Sequence, residues 1–296
     1  MTDQSHSAVT IETIDDFYSF HLDNTRPIEI YLPPDYSGDP QRKYKVLYAN
    51  DGQDLRGLSL NSILDALYAR HAIDPIIVVA IHATNDRMNE YGLSDQPDYR
   101  QRGSQATTYA HFVIDELMPF IDRHYRTLGG SMNTAIMGWS LGGLSAFDMA
   151  WQRPDKFGIV GAFSPSFWWR SDNSSPRSQQ ASRLAHRIVR AGIKRPGLRF
   201  WFQTGTRDES ADRDRNGMID SIQDTIELIA ALKSIGYRSN REVKYVEVKD
   251  GRHTQETWAQ ALPLFLHWVF PQPPNRFVRW IDRVVNLARR NPRIGY

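Results

Sequence analysis

The chain has no cysteine in its 296 residues, which excludes disulfides, thiolate metal sites and a cysteine nucleophile. Nor does it carry an excess of either charge. Its 36 Lys and Arg against 34 Asp and Glu leave a net charge of +2, and no basic run interleaves with aromatic residues, so no nucleic-acid partner is expected. No apolar run reaches the ~20 residues of a transmembrane helix. The start, Met1-Thr2-Asp3-Gln4-Ser5-His6, lacks the basic opening and apolar core of a secretory signal. A cytoplasmic protein with no membrane span is therefore expected. Internal repeats and low-complexity tracts are also missing. What is present is apolar material, 41% hydrophobic and 11% aromatic, enough to bury a large core. The linker-like break Pro271-Gln272-Pro273-Pro274 predicts one domain over 1–270 and a C-terminal extension over 271–296.

Strand-like runs alternate with helical patterns, as in a mostly parallel sheet with helices on both faces. Asp16 to Leu22 and Ile28 to Leu32 predict an opening antiparallel pair, stopped by Pro33-Pro34. Further strands are expected over Lys45 to Asn50, Ile76 to Ala83, Thr134 to Gly138, Phe157 to Phe163, Leu198 to Gln203 and Glu242 to Val248. Helices are expected around Leu60 to His71, Tyr109 to Tyr125, Leu141 to Gln152, Ser178 to Ala191, Ile219 to Ile235 and Gln255 to Trp268.

Between the fifth strand and its helix stands Gly138-Trp139-Ser140-Leu141-Gly142, which matches the G-x-S-x-G nucleophile elbow. The glycines answer a steric need, because a Cβ beside so sharp a turn would strike the neighbouring strand or helix. The turn lifts the Ser140 hydroxyl clear of the sheet and aims the first helical N–H groups at a developing oxyanion. A Gly/Ser turn without chemistry is the alternative; the strand before it and the helix after it favour the elbow. The element order is then that of an eight-stranded α/β-hydrolase fold.

A serine hydroxyl is almost wholly protonated at neutral pH, so it needs a base, and the base needs an orienting acid. In this fold the chain order is Ser, then Asp or Glu, then His. Of the histidines beyond the penultimate strand, His253 stands directly after the last strand, whereas His267 falls in an apolar helical run. His253 is the expected base. His82, at the end of a central strand, is the one earlier histidine placed where ligands bind. The acid should follow the strand Leu198 to Gln203, where Gly205-Thr206-Arg207-Asp208-Glu209 offers Asp208, with Glu209 as the fallback. A turn or N-cap carboxylate is the plainer reading of Asp208 alone.

With these residues in place the chain resembles the esterase D, feruloyl esterase and enterochelin esterase-like branch of the α/β-hydrolases. The likeness runs from Ile28-Glu29-Ile30-Tyr31-Leu32-Pro33-Pro34-Asp35-Tyr36 through Val46-Leu47-Tyr48-Ala49-Asn50-Asp51-Gly52-Gln53 to the His253 segment. Gly205-Thr206-Arg207-Asp208 resembles the family's acid turn, and Gly251-Arg252-His253 with Trp258 its histidine loop. The resemblance implies a serine esterase that hydrolyses a carboxylic ester through an acyl-enzyme, with no cofactor required. It implies the backbone amides of Leu141 and Gln53 as oxyanion donors. Arg87 and Glu90 resemble a paired Arg and Glu of the siderophore-esterase members. Relatives that are acyltransferases or thioesterases, and a non-catalytic binding protein for a sugar or siderophore on the same fold, are the alternatives.

Three further segments carry expectations of their own. Ser164-Pro165-Ser166-Phe167-Trp168-Trp169-Arg170 follows the sixth strand, and Trp168 and Trp169 either wall an acyl or aromatic pocket or pack under a cap; Trp139 could line the same cleft. Arg87 and Glu90 either bind a polar substrate or brace their loop as an ion pair. Asp212-Arg213-Asp214-Arg215-Asn216-Gly217-Met218-Ile219-Asp220 has the spacing of a calcium loop, with Asp212, Asp214 and Asn216, the Met218 carbonyl and Asp220 as ligands. Gln223 stands where the bidentate Glu belongs, and a polar loop ending in a capping box is the alternative. In the extension, Phe277 to Val285 has apolar residues at helical spacing and predicts a short amphipathic helix packed on the domain, or docked on a partner or a membrane surface.

Overall fold

The period-2 pattern of the central strands is what sorts the core in the computed structural model, which describes residues 8–272. Val46 and Tyr48, Ile77, Val79 and Ile81, and Phe200 and Phe202 pack on one face of the sheet. Leu47 and Ala49, Ile76, Val78 and Ala80, and Trp201 pack on the other. Strands apolar on both sides need helices on both sides, and the chain supplies them.

The strands are β1 (Thr10–Ser19), β2 (Asn24–Leu32), β3 (Lys45–Asn50), β4 (Ile76–Ile81), β5 (Thr134–Trp139), β6 (Ile159–Phe163), β7 (Arg199–Arg207) and β8 (Val243–Arg252). They form one eight-stranded sheet in the order β1-β2-β4-β3-β5-β6-β7-β8. β2 runs antiparallel to β1 and to β4, and every other pairing is parallel. The helices are α1 (Leu60–Ala69), α2 (Arg87–Glu90), α3 (Ala106–His111), α4 (Met118–His124), α5 (Leu141–Gln152), α6 (Pro176–Ala181), α7 (Leu184–Ala191), α8 (Asp220–Ser234) and α9 (Gln255–Val269).

Several elements depart from the expected spans: β2 begins four residues earlier, at Asn24, and β7 and β8 each run four residues further, to Arg207 and Arg252. β1 begins at Thr10 and ends before His21, because its mostly exposed edge position hides the alternation and a register shift between Ile14 and Phe17 absorbs Asp15-Asp16. The helix expected over Tyr109 to Tyr125 widens into a π-helical segment at Phe112–Leu117. The helix expected over Ser178 to Ala191 is two, α6 and α7, with the Arg183 side chain buried at the joint. α2 is a single turn too short to register as periodicity. Pro271 bridges to Ile73, and the Phe270 carbonyl accepts the Asp74 N–H. The helix expected over 277–285 lies outside the described residues. Among those described, no helix is long and apolar enough to cross a membrane.

Candidate active site

All the parallel strands end on the same edge of the sheet, and the loops beyond those ends build the cleft, where ligands bind in open α/β sheets. Ser140 follows β5 as the first residue outside α5, with φ 56° and ψ −124°. A non-glycine residue holds positive φ only when its surroundings enforce it. Here the Ser140 N–H donates to the Phe163 carbonyl at 2.9 Å, and the Ser140 carbonyl accepts the Ser166 N–H at 3.1 Å. The flanking glycines are required by contact: a Cβ on Gly142 would lie 2.7 Å from Asp51 Oδ2, and one on Gly138 would run into the Gly142 carbonyl. The helix thus starts under Ser140, and the Leu141 N–H belongs to its first turn, without an intrahelical partner.

Asp208 and His253 are set by adjacent strands. Arg207 of β7 and Arg252 of β8 are register partners, so the residue after each leaves the sheet at the same level. Ser140, Asp208 and His253 line one cleft of ≈ 420 Å³ with Arg87, Met88, Leu141, Ser164, Pro165, Ser166, Trp168, Glu209 and Ser221. The structure brings the three together without direct hydrogen bonds among them. The Ser140 hydroxyl meets Ser166 Oγ at 3.4 Å, and neither carboxylate oxygen of Asp208 has a hydrogen-bond partner. Catalytic hydrogen bonds are often long without substrate and tighten in the complex. Burial raises the Asp208 pKa, while the Ser164 hydroxyl, a backbone amide and His253 pull it down.

His253 is open to solvent at the rim, yet its ring sits edge-on to the Trp258 indole, with centroids 5.3 Å apart. Partial desolvation of the ring on its protein-facing side lowers its pKa below 6.5; Asp208 opposes that shift and Arg87 adds to it. A base works only when neutral, so a lowered pKa extends its working range toward acid. The acid limb of kcat/KM is accordingly expected below pH 6.5, with a flat profile through neutrality. A limb centred above 6.5 in a pH–rate series would exclude His253 as the titrating base.

Asp51-Gly52-Gln53 lies at the end of β3 beside the elbow. Asp51 takes a left-handed turn (φ 56°, ψ 45°), and Arg87 forks onto its carboxylate at 2.6 and 2.7 Å. Asn50 donates to the Gly142 carbonyl at 2.8 Å and accepts from Tyr109 at 2.8 Å, which ties this turn to the start of α5. Gln53 sits in the first turn of a short 3-10 helix, Gly52–Asp54, and its side chain accepts the Ala83 N–H at 3.0 Å.

Several expected residues stand elsewhere. Arg87 and Glu90 are not partners: Arg87 holds Asp51 at the cleft, whereas Glu90 is fully buried and bound by Arg26, Asn24 and Thr84. Breaking such a buried pair costs about 3–5 kcal/mol, so Glu90 is a core residue. Trp168 lines the cleft, but Trp169 is fully buried, packed against Gly92 and Gly103 with its N–H on the Gln96 carbonyl. Trp139 points behind the elbow, stacked on Trp258 (centroids 5.4 Å, planes 11° apart) and donating to Asp54 at 2.9 Å. His82 lies 3.7 Å from Glu29, and His267 is exposed on α9. The sequence reading missed Ser164, Ser166 and Ser221. Only the placement of Ser164-Pro165-Ser166 directly after β6 marked any of them.

The loop at 212–220 is closed by its own donors. Asp212 accepts the Asn216 and Gly217 N–H groups (3.1 and 2.9 Å), and Asn216 accepts that of Met218 (2.8 Å). Asp214 accepts Gln223 Nε2 (2.8 Å), and Asp220 accepts the Arg213 N–H (3.0 Å). Its three aspartates do not converge on one cation position; among the described residues the acidic or histidine trio that does is His21, His111 and Asp115, all exposed. A cation would have to compete with the Gln223 amide for Asp214 and with the Arg213 guanidinium beside Asp220. Melting curves in calcium and in chelator are therefore expected to coincide, and a midpoint raised by calcium would restore the loop as a metal site.

Comparison with known proteins adds the following. The family model described as "Putative esterase" matches residues 19–268. The uncharacterized protein YbbA of Bacillus subtilis is 22% identical over 85% of this chain and 95% of its own. The endo-1,4-beta-xylanase/feruloyl esterase of Xylanibacter ruminicola is 28% identical over 55% of this chain, and the match spans only 22% of that longer protein. The iron(III) enterobactin esterase of Escherichia coli is 27% identical over 64% of this chain and 44% of its own length. Among solved structures, a ferulic acid esterase superposes with a TM-score of 0.69 at 22% identity, covering 89% of this chain and 98% of that one. The enterobactin esterase of Shigella flexneri superposes with a TM-score of 0.70 at 22% identity, covering 90% and 61%.

Proposed function

We propose, from the premise that the chain belongs to the esterase family and is a carboxylic-ester hydrolase, that it works as a serine esterase through an acyl-enzyme. The observation that carries this reading is the cleft where Ser140, held at positive φ at the head of α5, meets Asp208 and His253. His253 takes the Ser140 proton as the hydroxyl attacks the ester carbonyl. The Leu141 and Gln53 amides receive the oxyanion, and the alcohol leaves with the proton from His253. Water deprotonated by His253 then attacks the acyl-enzyme, and Ser140 departs with the proton as the acid is released. Asp208 holds the imidazole and offsets its charge in both halves.

Arg87 serves this arrangement indirectly. Its two bonds to Asp51 brace the turn that carries the Gln53 amide. Loss of one oxyanion donor typically costs about 100-fold or more in turnover, so the turn matters as much as the triad. Trp168 gives the cleft an aromatic wall, which supports an ester of an aromatic acid, in line with the feruloyl and enterobactin esterases among its relatives. A panel of nitrophenyl esters from acetate to octanoate, with feruloyl and thioester probes, tests this reading. Faster turnover of aromatic acyl groups is expected, and a preference for thioesters or long alkyl chains would overturn that choice of substrate.

A further inference from the structure

Two buried side chains outside the three reacting groups touch both the acid and the base. Ser164, the first residue after β6, is 2% exposed and has φ 41°, a left-handed conformation that a serine adopts only under constraint. Its N–H donates to the Gln203 carbonyl at 2.7 Å, which fixes the backbone. Its hydroxyl oxygen accepts the Trp258 indole N–H at 3.0 Å. A serine hydroxyl has a single hydrogen and an indole only donates, so that hydrogen is free to point elsewhere. On the cleft side stands Asp208, whose two carboxylate oxygens have no hydrogen-bond partner and whose charge the Ser164 hydroxyl stabilises.

Trp258 is held as firmly. It stacks on Trp139, which is pinned by its own N–H to Asp54 at 2.9 Å, and its edge meets the His253 ring. We propose that Trp258 and Ser164 are positioning residues for the catalytic pair: the indole N–H fixes the Ser164 hydroxyl, the hydroxyl donates to Asp208, and the same indole limits how the His253 ring can turn. The inference rests on the proposed roles of Asp208 and His253. It gives a purpose to the inward turn of Trp139, which braces Trp258 and does not line the cleft.

The test is kinetic. Removing a donor from the Asp208 carboxylate leaves more of its negative charge to act on the imidazolium, so the first protonation of the Asp208–His253 pair moves up in pH. The other ionisable groups around the pair are Arg87 at the start of α2, Glu209 next to Asp208 in the chain, and Tyr245 of β8. None of them is altered by the variants. Ser164→Ala is expected to lower kcat for nitrophenyl acetate by about 10- to 100-fold with a smaller change in KM, the scale set by misplaced catalytic groups. The acid limb of kcat/KM moves to higher pH. Trp258→Phe keeps an aromatic ring and removes the N–H, and it should shift both quantities the same way by less. The double variant should lose no more than Ser164→Ala, because the two residues act in series.

An unmoved acid limb in Ser164→Ala, or losses that multiply in the double variant, overturns the proposal. So does a fall in melting midpoint with kcat and the limb unchanged. If Ser164→Ala does not fold, Trp258→Phe carries the same test through its own limb. Ser140→Ala in the same series separates the two levels. An inactive Ser140→Ala with Ser164→Ala at wild-type rate and profile ends this inference alone, whereas an active Ser140→Ala ends the serine-esterase reading beneath it.

Discussion

Ser140→Ala is expected to lower turnover of any ester the protein cleaves by about 10⁴-fold or more, the scale seen when a triad nucleophile is removed. The fold should hardly respond. The Ser140 hydroxyl has one neighbour within reach, Ser166 Oγ at 3.4 Å, at the limit of a hydrogen bond. The bonds that enforce the turn run through the backbone N–H and carbonyl of Ser140, which alanine keeps. A surface-type change in melting midpoint is therefore expected beside a near-complete loss of rate. Fluorophosphonate labelling should vanish in the variant for the same reason. Turnover within tenfold of the parent chain, in a folded variant, would mean that another group attacks the ester.

How far the site was legible follows from the kind of signal each residue leaves. Ser140, Asp208 and His253 announce themselves because each stands at the end of a strand whose apolar run is readable, and their order along the chain is a topological fact. The eight strands were legible for the same reason, apart from the edge strand β1. Its solvent-facing pattern with Asp15-Asp16 at the register shift carries little apolar contrast. What the sequence conceals is side-chain direction in the loops. Trp168 and Trp169 are neighbours, and the backbone turn sends one into the cleft and the other under it. Arg87 and Glu90, three apart on a one-turn helix, look like a pair, but a buried Arg26 from β2 claims the glutamate and Asp51 claims the arginine. Arg26 and Glu90 lie far apart in the chain, so local spacing cannot show their pairing. The 212–220 loop is a third case. Its spacing fits a cation, but Gln223 and Arg213 supply the donors that its oxygens take.

Asp208→Asn against Glu209→Gln is the second large effect, and it decides which of two adjacent carboxyls is the acid. Asparagine presents an N–H₂ or a neutral carbonyl to His253. It favours the wrong imidazole tautomer and no longer offsets the imidazolium, which on a triad costs about 10⁴-fold in kcat. Glu209 also lines the cleft; the residue as a whole is open to solvent, but its carboxyl end is partly desolvated, and that with Asp220 and Asp224 nearby pushes it up to about 7. A group largely protonated just below neutrality offers little charge to an imidazolium. Glu209→Gln should therefore leave kcat within a few-fold at pH 6. Its signature lies in stability instead. A carboxyl raised from 4.5 stabilises the fold fully only below that value, and the contribution is lost as pH rises through about 7. The glutamine variant should thus melt higher than the parent chain at pH 8 and level with it at pH 4. If Glu209→Gln loses the larger share of kcat, the acid is Glu209, and the register of Arg207 against Arg252 has been given the wrong meaning.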